Sequence, residues 1–185
     1  LPLAQHMIQE DFAFVIPVIK LRVKDWDDKK QRILNLVDWD DPECLSQHYF
    51  SDFFKNMSLG KHPYLEPFDF FISDELDKVA QHLGRDVKIT ELWAQRYKES
   101  QAMPTHNHGA HGFSAILYAE YDKEEHTPTV FYSPFGNFVD GQITVYEPEV
   151  EEGDLIVFPS MLLHSSMPFI SSHNRSIFSF NMSLI

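Results

Sequence analysis

The sequence predicts a mostly β protein, a jelly-roll-like barrel buttressed by N-terminal helices. Three observations carry that expectation. From residue 87 onward, short β-branched and aromatic runs recur, separated by turn-forming residues. Before Gly84 the apolar residues recur instead at helical intervals. The composition, 43% hydrophobic and 23% charged, is that of an ordinary globular chain. At 185 residues a single domain is expected, with residues 1–86 as a helical and strand buttress and 87–185 as the core barrel.

Taken in order, residues 12–24 (FAFVIPVIKLRVK) read as a strand, with Pro17 marking an edge or a kink. Such an edge could pair across a dimer axis. Residues 25–38 have an acidic start, and Trp26, Lys30, Ile33, Leu34 and Val37 share one helical face. Leu45, Tyr49, Phe53 and Met57 stand at helical intervals and predict a helix over 43–57. Residues 73–84 (SDELDKVAQHLG) give the clearest helix, with Ser73 as N-cap, Asp74 and Glu75 on the positive end of the dipole, and Gly84 as terminator. The period then changes. Strands are predicted at 87–97, 113–121, 129–133, 142–147, 153–159, 162–168 and 175–184. Phe113, Phe131, Phe158, Phe178 and Phe180 are expected in the core, and Trp26 and Trp93 as packing residues.

Charge and cysteine content exclude some partners. A net charge of −13 repels nucleic acid and anionic membranes, and no basic patch offsets it. The lone cysteine, Cys44, rules out a disulfide within the chain and suits a reducing cytoplasm. The run FAFVIPVI is too short to span a bilayer and lacks the basic flank of a signal peptide. A cytoplasmic protein is therefore expected.

The stretch MPTHNHGAHG, residues 103–112, concentrates His106, His108 and His111. On one extended segment, His106 and His108 point to the same face and can chelate one ion. A third ligand must come from afar. GDLIVFPSMLLH offers His164, on a predicted strand after a Gly-Asp turn. Three protein ligands leave positions open for a substrate, the arrangement of catalytic rather than closed structural sites. His111 could be an alternative ligand or a hydrogen-bond donor behind the ligands, and facing solvent is the favoured expectation. His6, His48, His62, His82, His126 and His173 show no such grouping and read as ordinary.

These segments, with YSPFG and NRSIFSFNMSL in the same order, resemble the iron(II)/2-oxoglutarate-dependent oxygenase superfamily. The resemblance covers roughly residues 90–185 and is greatest to small oxygenases of marine bacteria and phages with a His-x-His motif. It implies a double-stranded β-helix, cupin-like in its barrel, holding Fe(II) on His106, His108 and His164. His108 stands where most members carry Asp or Glu, and three imidazoles would also suit Zn(II), Cu(II) or Ni(II). The resemblance further implies that Arg175, eleven residues after His164, grips the far carboxylate of 2-oxoglutarate, because a guanidinium fork matches a carboxylate. Many relatives have Ser or Thr two residues later. Here Ile177 stands there, so Tyr118, with Tyr97, is the expected second contact to the co-substrate. Asn181 shares strand parity with Arg175 and is expected beside that site, supporting it or bonding structurally.

The activity so implied is that of a hydroxylase consuming dioxygen and releasing succinate and CO2. Its substrate would be a small molecule or a protein side chain. Two alternatives stand beside it. A cupin-type metalloprotein, an isomerase or another dioxygenase, would use the same histidines but leave Arg175 without a role. A non-catalytic metal-binding module would want a fourth ligand.

Overall fold

The computed structural model describes residues 15–46, 49–60 and 62–185. Residues 12–14 of the first predicted strand, together with His6 and His48, lie outside the described residues. The elements run β1 (Ile19–Arg22), α1 (Trp26–Leu34), β2 (Phe50–Ser51), α2 (Phe53–Leu59), α3 (Leu65–Phe71), α4 (Ser73–Leu83), then β3 (Val87–Tyr97), β4 (Met103–His106) and β5 (Phe113–Glu120). The remainder is all strand: β6 (Thr129–Gly136), β7 (Ile143–Tyr146), β8 (Asp154–Pro159), β9 (His164–Ser166) and β10 (Arg175–Leu184). Helices precede the long strands, as the change of period predicts.

Two antiparallel sheets result. The larger has the order β1-β8-β5-β10-β3-β2 and the smaller β4-β9-β6-β7. β1 lies at an edge, in keeping with Pro17 just before it. Alternate residues of the large sheet serve two different cores. Ala115, Leu117, Phe178 and Phe180 face the helices, packing with Ile33, Phe68 and Val79. Ile116, Tyr118, Ile156, Phe158 and Ile177 face the other way, into a second core with Phe131 and Phe169. This double burial explains why β5 and β8 are apolar almost throughout rather than alternating. Phe131, Phe158, Phe178 and Phe180 are buried as expected, and Phe113 packs part-buried on the helical side. Among the described residues no helix is long and apolar enough to cross a membrane.

Two local expectations are corrected, and one helix is added. The helix over 43–57 begins only at Phe53, because Phe50 and Ser51 pair instead with Arg96 and Gln95 of β3. Asp52 fixes that switch. One carboxylate oxygen accepts from the Ala94 N–H at 2.8 Å, and the other accepts from the Tyr64 hydroxyl. Ser73 is the first residue of α4 rather than its cap. Its hydroxyl donates back to the Phe70 carbonyl, since α3 runs almost directly into α4. Helix α3 itself has no counterpart in the sequence pattern. Its Pro67 falls in the first turn, where no N–H is needed.

Candidate metal centre

His106 closes β4 and His164 opens β9, and the two face each other across that antiparallel pair. His108 lies beyond the end of β4, not within the strand. Its backbone N–H donates to the Ser160 carbonyl at 2.9 Å, and the Ser160 N–H donates to the Gly112 carbonyl at 3.1 Å. The loop 107–112 is thereby tied to the turn after β8. Gly112 has φ +78°, and a Cβ there would sit 2.3 Å from the Met182 carbonyl oxygen of β10. Only glycine lets the loop pass so close.

A ring nitrogen of each histidine lies within 4.8 Å of the other two. Their protonation states follow from their partners. His106 Nδ1 contacts the Pro104 carbonyl at 2.8 Å, and His164 Nδ1 the Leu162 carbonyl at 2.9 Å. A carbonyl only accepts, so each Nδ1 carries a proton, which leaves Nε2 as the atom that can ligate. His108 Nδ1 meets Ser114 Oγ and Asn181 Oδ1, each at 2.9 Å. Asn181 Nδ2 donates to the Glu91 carboxylate, which fixes Oδ1 as the acceptor for His108. Burial pulls the pKa of His164 down to about 3 and lowers that of His108, so both rings are neutral near pH 7. Three clustered imidazoles, each anchored through Nδ1, fit a divalent metal such as Fe(II). His111 is exposed and outside this cluster, as expected.

Arg175 opens β10 and is only 1% exposed. Its Nη1 donates to the carbonyl of Thr127 at 2.7 Å. Its Nε and Nη2 are buried and have no hydrogen-bond partner among the described residues. The guanidinium stacks 4.5 Å from the centroid of Tyr97 and 5.3 Å from that of Phe169. Tyr118 is 1% exposed, and its Oη accepts from the Thr129 N–H at 3.0 Å, leaving the hydroxyl proton to donate elsewhere. Burial raises the pKa of both tyrosines, so they stay neutral phenols. Tyr97 thus stacks on Arg175, and Tyr118 is buried in the same core as Tyr97.

The amide of Asn181 is taken up by His108, Ser114 and Glu91. The amide thus links Glu91, a carboxylate, to the histidine that stands in a carboxylate's usual position. Trp93, expected only to pack, has its ring 5.2 Å from that of His108 and lines a cleft of about 310 Å³ with Tyr49, Phe53, Glu91, His106 and His108. The signal for this lies in β3, where Glu91, Trp93, Gln95 and Tyr97 share one parity. Polar residues on an inward strand face point to a site rather than to packing alone.

Residues 91–181 match the family model 2OG-FeII_Oxy_5, of 2OG-Fe(II) oxygenases. No curated protein matches the chain. Among solved structures, the fold is similar to that of the viral collagen prolyl hydroxylase of Paramecium Bursaria Chlorella virus-1, solved with 2OG. That likeness has TM-score 0.59 and 14% identity, over 91% of this chain and 96% of the other. HygX of Streptomyces hygroscopicus, solved with nickel and 2-oxoglutarate, gives TM-score 0.64 and 9% identity over 90% and 82%. A Pseudomonas putida prolyl-4-hydroxylase gives 0.54 and 16% over 90% and 92%. At such identities these are likenesses of fold. Over residues 91–181 the chain belongs to the 2OG-Fe(II) oxygenases, and the protein is an Fe(II)- and 2-oxoglutarate-dependent enzyme of that superfamily.

Proposed function

We propose that this oxygenase is a hydroxylase built as one domain, its two sheets forming a double-stranded β-helix with the helices as buttress. In this reading His106, His108 and His164 hold Fe(II) through Nε2, and Arg175 holds the distal carboxylate of 2-oxoglutarate. Tyr118 donates its hydroxyl to that carboxylate, and Tyr97 keeps the guanidinium flat beneath it. Asn181 acts one step back, holding the His108 ring at the metal.

The observation that carries the reading is the unpaired Nε–Nη2 edge of Arg175. A buried cation without a counterion costs several kcal/mol, so such an edge is tolerated where a ligand completes it. That edge is the one a guanidinium uses for two parallel hydrogen bonds to a carboxylate. The guanidinium packs on Tyr97 and Phe169, members of the core whose Phe158 ring is 4.9 Å from that of His164.

Bound iron with 2-oxoglutarate and dioxygen supplies the oxidising power, turning the 2-oxoglutarate into succinate and CO2 and placing one oxygen atom in a C–H bond of the substrate. The chain itself binds and orients. The carbonyls of Pro104 and Leu162 keep the imidazoles in the ligating tautomer, and Phe131, Phe158 and Trp93 exclude water around them. The substrate is a small molecule or a protein side chain.

Anaerobic titration tests the assignment. Adding 2-oxoglutarate to the Fe(II)-loaded protein is expected to give the visible charge-transfer band of the chelate. His164→Ala is expected to lose both the band and succinate formation. A wild-type protein that binds Fe(II) yet gives no band on adding 2-oxoglutarate would refute it.

A further inference from the structure

We infer that the cleft beside His106 and His108 selects a substrate carrying a cationic nitrogen on an aliphatic stem, an alkylammonium of the lysine type. This rests on the oxygenase reading above and concerns the same site. The cleft walls are aromatic. Phe53 meets Trp93 edge-on at 5.2 Å between centroids, and Trp93 meets His108 at the same spacing. Tyr49 stacks on Tyr97 at 5.0 Å and donates its hydroxyl to Met103 Sδ at 3.0 Å. Rings so fixed offer flat apolar faces to a hydrocarbon stem and negative faces to a cation.

The charged group lining the cleft is Glu91. Among the described residues no lysine or arginine forms an ion pair with it. Its partner there is the Asn181 amide, which anchors one carboxylate oxygen without cancelling the charge. An anchored carboxylate without an ion-pair partner, in a cleft also lined by aromatic rings, attracts a cation and repels an anion, and the chain's net charge of −13 acts in the same direction. A volume of about 310 Å³ admits one side chain or a small amine, not a polymer. A neutral or acidic substrate would leave Glu91 desolvated and unmatched.

The test uses n-butylamine, 1-butanol and butyrate as probes. Binding is measured by calorimetry on the full chain loaded with Fe(II) and 2-oxoglutarate under argon. Butylamine is expected to bind at least about tenfold more tightly than butyrate, and Glu91→Gln to weaken butylamine by about tenfold while leaving 1-butanol unchanged. That substitution keeps the support for Asn181, since an amide oxygen still accepts its hydrogen bond. The amine-to-alcohol ratio also does not depend on how much of a variant is folded. Equal binding of butylamine and butyrate, or an unchanged ratio in the variant, would overturn the inference. Competition by L-lysine and by its N-acetyl methylamide separates the two sources. Displacement of butylamine by either supports the class and names free amino acid or protein side chain, whereas displacement by neither overturns it. The charge-transfer band, read in the same samples, keeps the two readings apart. Band present without amine preference defeats this inference alone, and band absent defeats the oxygenase assignment.

Discussion

At the scale of single residues, Arg175 makes the sharpest claim. A guanidinium that is 1% exposed, with two of its three nitrogens unpaired, is poorly satisfied until an anion arrives. Adding 2-oxoglutarate with metal is therefore expected to raise the melting temperature of the wild type by mass action. Arg175→Met is expected to remove that rise. Arg175→Lys keeps the charge but loses the fork, and should retain only part of it. A thermal shift equal in all three proteins would place 2-oxoglutarate elsewhere. Asn181 makes a second claim. Its carbonyl orients His108, so Asn181→Ala is expected to weaken metal binding by roughly 10- to 100-fold, measured by competition with a chelator. The three histidines were legible as candidates from the His-x-His spacing and the strand context of His164, and Arg175 from the family resemblance. The Glu91–Asn181–His108 chain was not, because a contact across 73 and 90 positions of sequence leaves no periodic trace.

At the scale of elements, local chemistry was readable wherever it decided the structure, and unreadable where a distant partner did. Strand β3 coincides with the alternation over 87–97, and Gly84 ends α4 in the left-handed conformation at φ +66°. The region 43–57 failed for a definable reason. Its apolar residues have a helix's spacing, but pairing with β3 and the Asp52 bond to Ala94 outweigh an amphipathic stripe. Loop 107–112 shows the converse, an element whose shape hangs on one residue. Gly112→Ala would drive a methyl group into the Met182 carbonyl at a backbone angle that L-residues avoid. The expected cost is roughly 2–4 kcal/mol in urea unfolding. The loop must also shift away from β10, carrying His108 with it, so metal affinity should fall in the same variant. Loss of stability with unaltered metal affinity would mean that Ser160 alone fixes His108.

At the scale of the molecule, the layers were legible and the strand order was not. Helices before strands predict a sheet covered on one side, but nothing local says that β10 lies between β3 and β5. What that order achieves is a buried polar centre between the sheets, and burial has a consequence in pH. His164 is 4% exposed, and its pKa lies near 3 against an ordinary value of 6.5. In the unfolded chain it takes a proton below about pH 6.5, whereas in the folded protein it does not until about pH 3. The unfolded state therefore binds more protons between those values. Stability is complete above pH 6.5 and declines as pH falls toward 3. His108 and His126, also lowered by burial, act with the same sign. Asp52, raised by burial, acts against it at lower pH, where its carboxyl takes up a proton. From His164 alone, the metal-free protein should lose about 2 kcal/mol between pH 7 and pH 5. Urea melts at those two pH values are the measurement, with His164→Gln as the control that lacks the titrating ring. The wild type should lose about 2 kcal/mol more than the variant over the interval. Equal losses in the two proteins would mean that the His164 ring is solvated enough to accept its proton in the fold, and that the centre is wetter than its packing against Phe131 and Phe158 implies.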